Sequence, residues 1–556
     1  MRRRYTRIIA LIIAMMMAMA LVAACADEDV DEPVDTGNEP AETTPVEPDD
    51  DDDDDDGYIV AMPEDVEVAE THLRVAQPMA PSHFDPTMTN EVPQSRANYL
   101  IFQTLVYLDG DNIIPGLATS WEFVDAETVV FTLREGVRFH DGSIMTAEDV
   151  VFSINRASAS SHVDIITGMI AEAVALSDTE VQITTEFPFA PVLSHLSHTA
   201  TGIVSQEVVE RLGDEGHTLA PIGTGPFMFY NHVVGDHFEL VRFDDFNSVV
   251  PGLPEGQLPE IERITFHLIP DAGVRTIALE TGEVHVVVDV AAAEVAHIRN
   301  HPDLVMVEVP NFALNTWLGF NTERAPFDDI RVRQAIAYAI DIPTIVDVAW
   351  AGVGFVAEGP LPNTVPGFVA FPPIPHNIDR ARELMAEAGL EDGFETDVWL
   401  NEGNPMRADA AVMIQAQLMA LNIDVTVRIY EWATLLPDTA AGEHGMSLMG
   451  WTTATGDPDY GLFPLYHSSN HGDAGNRQFY TNARVDELLI AGRMETDPAT
   501  RLEIYREAQE LIMADLPIIP LWQAAELHAH RDNVQGFSVT PTGSIPLWNV
   551  VIGPAN

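Results

Sequence analysis

Three histidine pairs come nearest to metal-ligand spacing in this chain: His195 with His198, His467 with His471, and His528 with His530. Imidazoles two to four residues apart can share one face of an element and meet a transition metal together. With 19 histidines in 556 residues such pairs arise readily, and none stands beside a second cysteine or a carboxylate triad, so no metal site is expected. Covalent chemistry is scarcer still. The sequence contains no lysine, and all 27 basic side chains are arginine. That excludes a Walker A loop, a pyridoxal phosphate Schiff base and a Ser-x-x-Lys acylase, each of which needs the amine. Cys25 is the one cysteine, which excludes a Cys-x-x-Cys redox pair and multi-cysteine zinc or iron-sulfur centres. Neither Gly-x-Ser-x-Gly nor His-Glu-x-x-His occurs. An exported hydrolase using two carboxylates as acid and base stays open as an alternative, but among 87 acidic residues a close pair carries little weight. No catalytic residue and no cofactor is expected.

The N-terminus explains the cysteine. Arg2, Arg3, Arg4 and Arg7 precede seventeen apolar residues, 8–24, that end in Val22-Ala23-Ala24. This is the layout of an export signal. Leu21-Val22-Ala23-Ala24-Cys25 resembles a bacterial lipobox, so residues 1–24 read as a signal peptide and Cys25 as the lipidated first residue of the mature chain, anchored outside the cytoplasmic membrane. The competing reading is an uncleaved anchor helix, since seventeen residues is close to the shortest span. Residues 25–71 then form an acidic linker. From Asp27 to Asp56 there are 17 acidic residues and no arginine, ending in the run Asp49 to Asp56, which repels itself and cannot bury a core. Asp52, Asp54, Asp56 and Gly57 match the start of an EF-hand loop, but its twelfth position is Pro63 where a bidentate Glu is needed, so specific calcium binding is not expected.

Charge narrows the partners. Of the formal −60, the four leader arginines contribute +4 and the acidic stretch −17, which leaves −47 on residues 57–556. Nucleic acid is excluded, because binding it requires clustered cations to displace phosphate counterions. A surface this negative needs salt to screen its self-repulsion, which points to a saline or otherwise unusual habitat.

The remaining roughly 490 residues suffice for two or three domains without disulfides. Asp397 to Leu400 reads as a strand, Met406 to Ala420 as a helix and Ile423 to Ile429 as a second strand, a βαβ unit that implies a parallel or mixed sheet. Val332, Ala335, Ile336, Ala339 and Ile340 follow helical spacing behind Pro326-Phe327-Asp328-Asp329. Asp497 followed by Pro498 starts another helix, and Thr146 with Asp149 forms a capping-box variant. Gly136 and Gly142 punctuate a strand and its turn, and Gly223 and Gly225 offer backbone freedom where the chain crosses between domains.

Several ordered blocks are specific. They are Phe84-Asp85-Pro86, Ile114-Pro115-Gly116-Leu117-Ala118-Thr119-Ser120-Trp121-Glu122, the stretch from Phe131 through Phe139-His140-Asp141-Gly142 to Thr146-Ala147-Glu148-Asp149-Val150, Gly223-Thr224-Gly225-Pro226-Phe227, Gly319-Phe320-Asn321, Arg331-Val332-Arg333-Gln334-Ala335, Gly450-Trp451 with Asp457-Pro458-Asp459, and Pro517-Ile518-Ile519-Pro520-Leu521. Together they resemble the extracellular solute-binding proteins, family 5, which serve ABC importers of oligopeptides, dipeptides and nickel, and they span roughly residues 72–550. Most of these residues read as scaffold; they mark the family rather than the ligand.

The resemblance implies an α/β, two-lobed clamshell of the type II periplasmic-binding-protein kind with an extra inserted α+β domain. Its expected divisions are domain I at 72–108, 223–312 and 519–556, the inserted domain II at 109–222, and domain III at 313–518. It implies a monomeric, lipid-anchored binding protein that takes a peptide or other small solute between domains I and III, delivers it to a membrane permease and makes or breaks no bond in it. In dipeptide and oligopeptide receptors the segment similar to Gly450-Trp451-Thr452-Thr453 carries an aspartate three residues beyond the tryptophan, which pairs with the peptide amine. This chain has Ala454 there, so that anchor is missing unless Asp457 or Asp459 replaces it. An oligopeptide held by strand addition along Gly450 to Thr453 is the leading expectation; an oligosaccharide, a nickel chelate or another solute is the alternative. The expected pocket consists of Trp451, Thr452 and Thr453 as wall and hydrogen-bonding edge, Asp457 and Tyr460 as polar anchors, Met79, Ser82 and His83 facing them, and Asn321 and Arg477 as further contacts, Arg477 for a carboxylate.

Overall fold

The computed structural model describes residues 71–554 apart from 89–90, 111, 310–311, 473–474 and 541. The expected signal peptide, Cys25, the acidic stretch and its EF-hand-like start lie outside the described residues. Among the described residues no helix is long and apolar enough to cross a membrane.

Alternating apolar residues build three large sheets. The first has seven strands in the order Leu304–Val309, Glu526–Arg531, Val286–Val287, His72–Gln77, Arg263–Leu268, His237–Arg242 and Phe227–Val233. It is mixed: His72–Gln77 runs parallel to both of its neighbours, and the rest pair antiparallel. The second has six strands in the order Phe355–Val356, Ile518–Gln523, Leu314–Phe320, Met446–Thr452, Glu395–Asn401 and Asp424–Tyr430. The third is an antiparallel sheet of Ala118–Phe123, Thr128–Leu133, Glu180–Thr185 and Ile170–Ser177, backed by the helix Ala147–Ser158.

The strand Ile518–Gln523 corrects one expected boundary. It is buried along its whole length and pairs antiparallel with Leu314–Phe320, so it belongs to the second sheet. The chain returns to the first sheet only through Ala524 and Ala525, not at 519. A strand apolar on both faces is stable inside a sheet covered on two sides, and this one has such a place.

Local signals act as their chemistry requires. Thr146 Oγ1 accepts from Asp149 N–H while Asp149 Oδ2 accepts from Thr146 N–H at 2.9 Å, a complete capping box. Asp329 caps the helix Ile330–Ala339, and Asp497 caps Pro498–Asp515. The βαβ unit consists of Glu395–Asn401, Pro405–Leu418 and Asp424–Tyr430, with the two strands parallel in continuous register. Gly136 and Gly142 sit at φ +73° and +86°, where a side chain would be strained. Gly223 and Gly225 are glycine for a reason other than the expected freedom. Neither has positive φ, but a Cβ on Gly223 would stand 2.2 Å from Ile101 O and one on Gly225 2.5 Å from Leu100 O. Two chain segments lie back to back there, too close for any side chain.

Candidate ligand-binding cleft

Glu395–Asn401, Asp424–Tyr430 and Met446–Thr452 are mutually parallel, so their carboxyl ends emerge together. A helix starts after each: Pro405–Leu418, Trp432–Ala440 and Pro458–Tyr466. In α/β sheets this side collects ligands, because loops and helix N-termini converge on it. Two neighbouring cavities open here, of about 280 and about 760 Å³, sharing Glu91, Trp432, Trp451 and Tyr460. The smaller lies between Gly450, Trp451 and Thr452 of the second sheet and Tyr99, Tyr107 and Ser544 opposite. The larger reaches Asp164 and Phe187 of the segment carrying the third sheet, with Phe463, Arg477 and Arg493 across from them. Aromatic walls carrying a few charged groups suit a small organic ligand.

Trp451 and Tyr460 stand between the two cavities. Trp451 Nε1–H donates to the Tyr460 carbonyl at 2.9 Å, and the ring centroids are 5.4 Å apart. Thr452 lines the smaller cavity and a third pocket of about 130 Å³ whose opposite wall includes Met79. Arg477 lines the larger cavity. These five expected residues therefore gather around the cleft.

The other five lie behind it or away from it. Thr453 is buried, donates its N–H to Ala313 O at 2.7 Å and lines none of these cavities. Ser82 donates to Glu91 Oε2 at 2.9 Å, one step behind a cavity wall. His83 is half-buried and lines none of the cavities described. Asp457 caps the helix Pro458–Tyr466 through Asp459 N–H, and both its oxygens accept from Arg501, at 2.6 and 2.8 Å. Its charge is thus answered within the protein. Asn321 donates to Gly442 O at 3.0 Å at the far end of the strand Leu314–Phe320. Leu314, not Asn321, faces Thr452, so Asn321 lies roughly 20 Å from the cleft end of that strand at ~3.3 Å per residue.

Asp459, the other candidate for the missing aspartate, is buried against Arg493 Nε at 3.2 Å and His195 Nε2 at 3.9 Å. Burial raises its carboxyl to about 6 against the pull of Arg493, and burial lowers His195 to about 4. The Arg493 guanidinium lies 3.8 Å over the Phe463 ring and 5.2 Å from the Phe187 and Phe189 rings, and its carbonyl accepts from Ala190 N–H at 2.8 Å. The second sheet's helices thereby touch the inserted segment across the mouth of the larger cavity. Among the described residues no group of three His, Cys, Asp or Glu side chains is placed to hold a metal ion. His195 Nδ1 is instead 2.9 Å from Ile166 O, and His198 Nδ1 accepts from Ala200 N–H.

Sequence reasoning missed Glu91, Trp432 and Arg493, which line these cavities. The signal that could have found Trp432 was available: it follows directly on the second strand of the βαβ unit, at the end where ligands collect. The others have no local signature.

Two covered sheets joined by crossing strands, an inserted third layer and a cleft between them define a two-lobed binding protein of the ABC-importer type. The family model for bacterial extracellular solute-binding proteins, family 5, matches residues 112–473, and the chain belongs to that family. It is 28% identical to the dipeptide-binding protein of Escherichia coli strain K12 over 527 residues, 89% of this chain and 97% of that protein. It is 30% identical to the glutathione-binding protein GsiB of Pectobacterium atrosepticum over 468 residues, 82% of this chain and 89% of that one. The solved structure of the ABC transporter-associated periplasmic binding protein DppA from Helicobacter pylori, in complex with the peptide STSA, superposes with a TM-score of 0.77 at 28% identity, covering 87% of this chain and 98% of that one. The chain is an extracytoplasmic solute-binding protein and not an enzyme.

Proposed function

We propose that this protein captures an oligopeptide in the cleft and delivers it to a membrane permease, working as a monomer anchored through lipid on Cys25. One observation carries the peptide reading. Met446–Thr452 pairs on one edge with Leu314–Phe320 along its whole length, but on the other edge with Glu395–Asn401 only at Met446 and Ser447. From Leu448 to Thr452 that second edge has no strand partner among the described residues, and Gly450, Trp451 and Thr452 line the cavity. An extended peptide can add to such an edge through its main chain whatever its sequence, while the Trp451 and Tyr460 rings cover its side chains. The dipeptide receptor and the tetrapeptide complex among the relatives support the same reading.

Native mass spectrometry of the purified mature protein tests it, followed by thermal-shift screening of peptides, oligosaccharides and nickel. A peptide-induced shift that Trp451→Ala removes is expected. A shift with oligosaccharide or nickel alone overturns the peptide reading. Labelling with a radioactive fatty acid, lost in Cys25→Ser, tests the anchor.

A further inference from the structure

Gly319, in the strand Leu314–Phe320, is surrounded by buried polar groups that find no partner among the described residues. A Cβ at this position would stand 2.8 Å from Gln478 Nε2, 3.3 Å from Ser447 Oγ and 3.3 Å from Trp317 Cδ1. All three neighbours are deeply buried: Ser447 is 0% exposed, Gln478 2% and Trp317 3%. Yet Ser447 Oγ, Gln478 Oε1 and Trp317 Nε1 make no hydrogen bond to any described residue. Each lies within ~5 Å of the missing Cβ, because the indole nitrogen is one bond beyond Cδ1 and the amide oxygen two bonds beyond Nε2. The sheet explains the gathering. Ser447 is the register partner of Gly319, and Trp317 stands two residues earlier on the same face of Leu314–Phe320. Trp399, aligned with Ser447 in the next strand, is buried with its Nε1 unanswered as well.

Buried polar atoms are paired almost without exception, so several unanswered ones on one face of a core sheet call for a ligand that pairs them. Their chemistry restricts what it is. The indole N–H only donates, the amide oxygen only accepts, and the hydroxyl does either. A cation would meet the indole hydrogen and an anion the amide oxygen, so neither suits the set. Water both accepts and donates, and it is held inside proteins where two to four polar partners surround room for one molecule. The absent side chain at Gly319 leaves that room. Gly319 does not have positive φ, so its backbone makes no demand for glycine, and the crowding around it does.

We infer that an ordered water molecule is bound between Trp317, Ser447 and Gln478 above Gly319 and is a fixed part of this lobe. It accepts from Trp317 Nε1–H, donates to Gln478 Oε1 and shares a hydrogen bond with Ser447 Oγ. Ser447 stands near the start of the strand Met446–Thr452 and the cleft at its end, so the site is separate from the cargo and is filled whatever the cargo is. Its role is to seat a cavity wall. Gln478 follows Arg477, which lines the larger cavity, and precedes Phe479, which is held at φ +52°. The Gln478 carbonyl accepts from Thr322 N–H at 2.8 Å and from Thr322 Oγ1–H at 3.1 Å. The main chain of this segment is therefore tied to the sheet directly, and its side chain through the water.

Water-selective Overhauser spectroscopy on the isotope-labelled mature protein tests this at the indole N–H signals, of which the chain has eight, with Trp317 identified by Trp317→Phe. A cross-peak between water and Trp317 Nε1–H is expected, with the sign of a molecule that tumbles with the protein. Ser447→Ala keeps the cross-peak, since the indole and the amide still hold the water; its loss there would mean relay through the hydroxyl proton and overturns the inference. Gly319→Ala loses it, because the methyl group takes the space. The double variant Ser447→Ala with Gln478→Met loses it too, having only the indole left, and decides the matter if Gly319→Ala does not fold. No cross-peak in the wild type, or one that survives in the double variant, overturns the inference. Deuterium exchange read by mass spectrometry checks the seating. Peptides covering 476–480 should exchange roughly tenfold faster in the double variant while those covering 314–320 do not change; unchanged exchange at 476–480 overturns that role.

Discussion

Trp451 and Tyr460 are joined twice, by the indole N–H on the Tyr460 carbonyl at 2.9 Å and by rings tilted 35° to one another. The strand end Met446–Thr452 and the helix Pro458–Tyr466 are thereby fixed to each other at the place where the two cavities meet. Trp451→Ala removes both links and a wall of each cavity. Ligand affinity is expected to fall by roughly tenfold or more, the equivalent of about 1.4 kcal/mol. Trp451→Phe keeps the ring and loses only the hydrogen bond, so it should cost less. Titration with the ligand recovered from the native protein checks both.

Asp457 separates two roles. Its carboxylate holds Arg501 through two hydrogen bonds and caps a helix, so Asp457→Asn keeps the cap and strands a mostly buried guanidinium. A loss of about 3 kcal/mol in stability is expected, with ligand affinity changed little. Urea unfolding reads the first and calorimetry the second. A large loss of affinity at unchanged stability would instead assign Asp457 to the ligand.

Gly225→Ala places a methyl group 2.5 Å from Leu100 O, with Ile101 O at 2.7 Å, against a backbone that cannot step aside. About 1–3 kcal/mol of destabilisation is expected, read as a lower melting temperature. Gly256→Ala is the comparison: its Cβ meets nothing within 4 Å, so only the strain of its positive φ is tested.

Acidity should weaken the fold over a defined range. Burial lowers His195, His198 and His444 to about 4, whereas a histidine in the unfolded chain titrates near ~6.5. Below pH ~6.5 the unfolded chain takes up protons that the folded one refuses, so the stability these groups contribute is whole above that pH and is lost as pH falls toward 4. Asp459, raised to about 6 by burial, works in the opposite direction between about 4 and 6, but it is one group against three. The melting temperature should therefore rise from pH 4 to 6.5 and level off. An optimum near pH 4.5 would contradict the assignment, and His444→Gln should flatten the slope.

The parts of the fold legible in the sequence were those written locally. The βαβ unit and the helix behind Asp329 showed themselves in periodicity and the helix starts at Thr146 and Asp497 in capping chemistry, because each depends on residues a few positions apart. The last crossing was misplaced because Ile518–Gln523 is buried throughout and apolar as far as Trp522, and would suit the middle of either sheet. The cleft was legible where one segment supplies it, as with Trp451, Thr452 and Tyr460. Glu91 and Arg493 are brought in from distant stretches and carry no pattern of their own. Asp457 misled for the converse reason: its partner Arg501 is 44 residues away, so nothing nearby shows that its charge is already answered.

The three phenyl rings around Arg493, with its carbonyl tied to Ala190, also bear on timing. A cargo sealed under that clasp leaves only after a guanidinium slides out from among aromatic faces. How long the receptor stays loaded would then be set at its rim, by a side chain that closes one wall of the larger cavity.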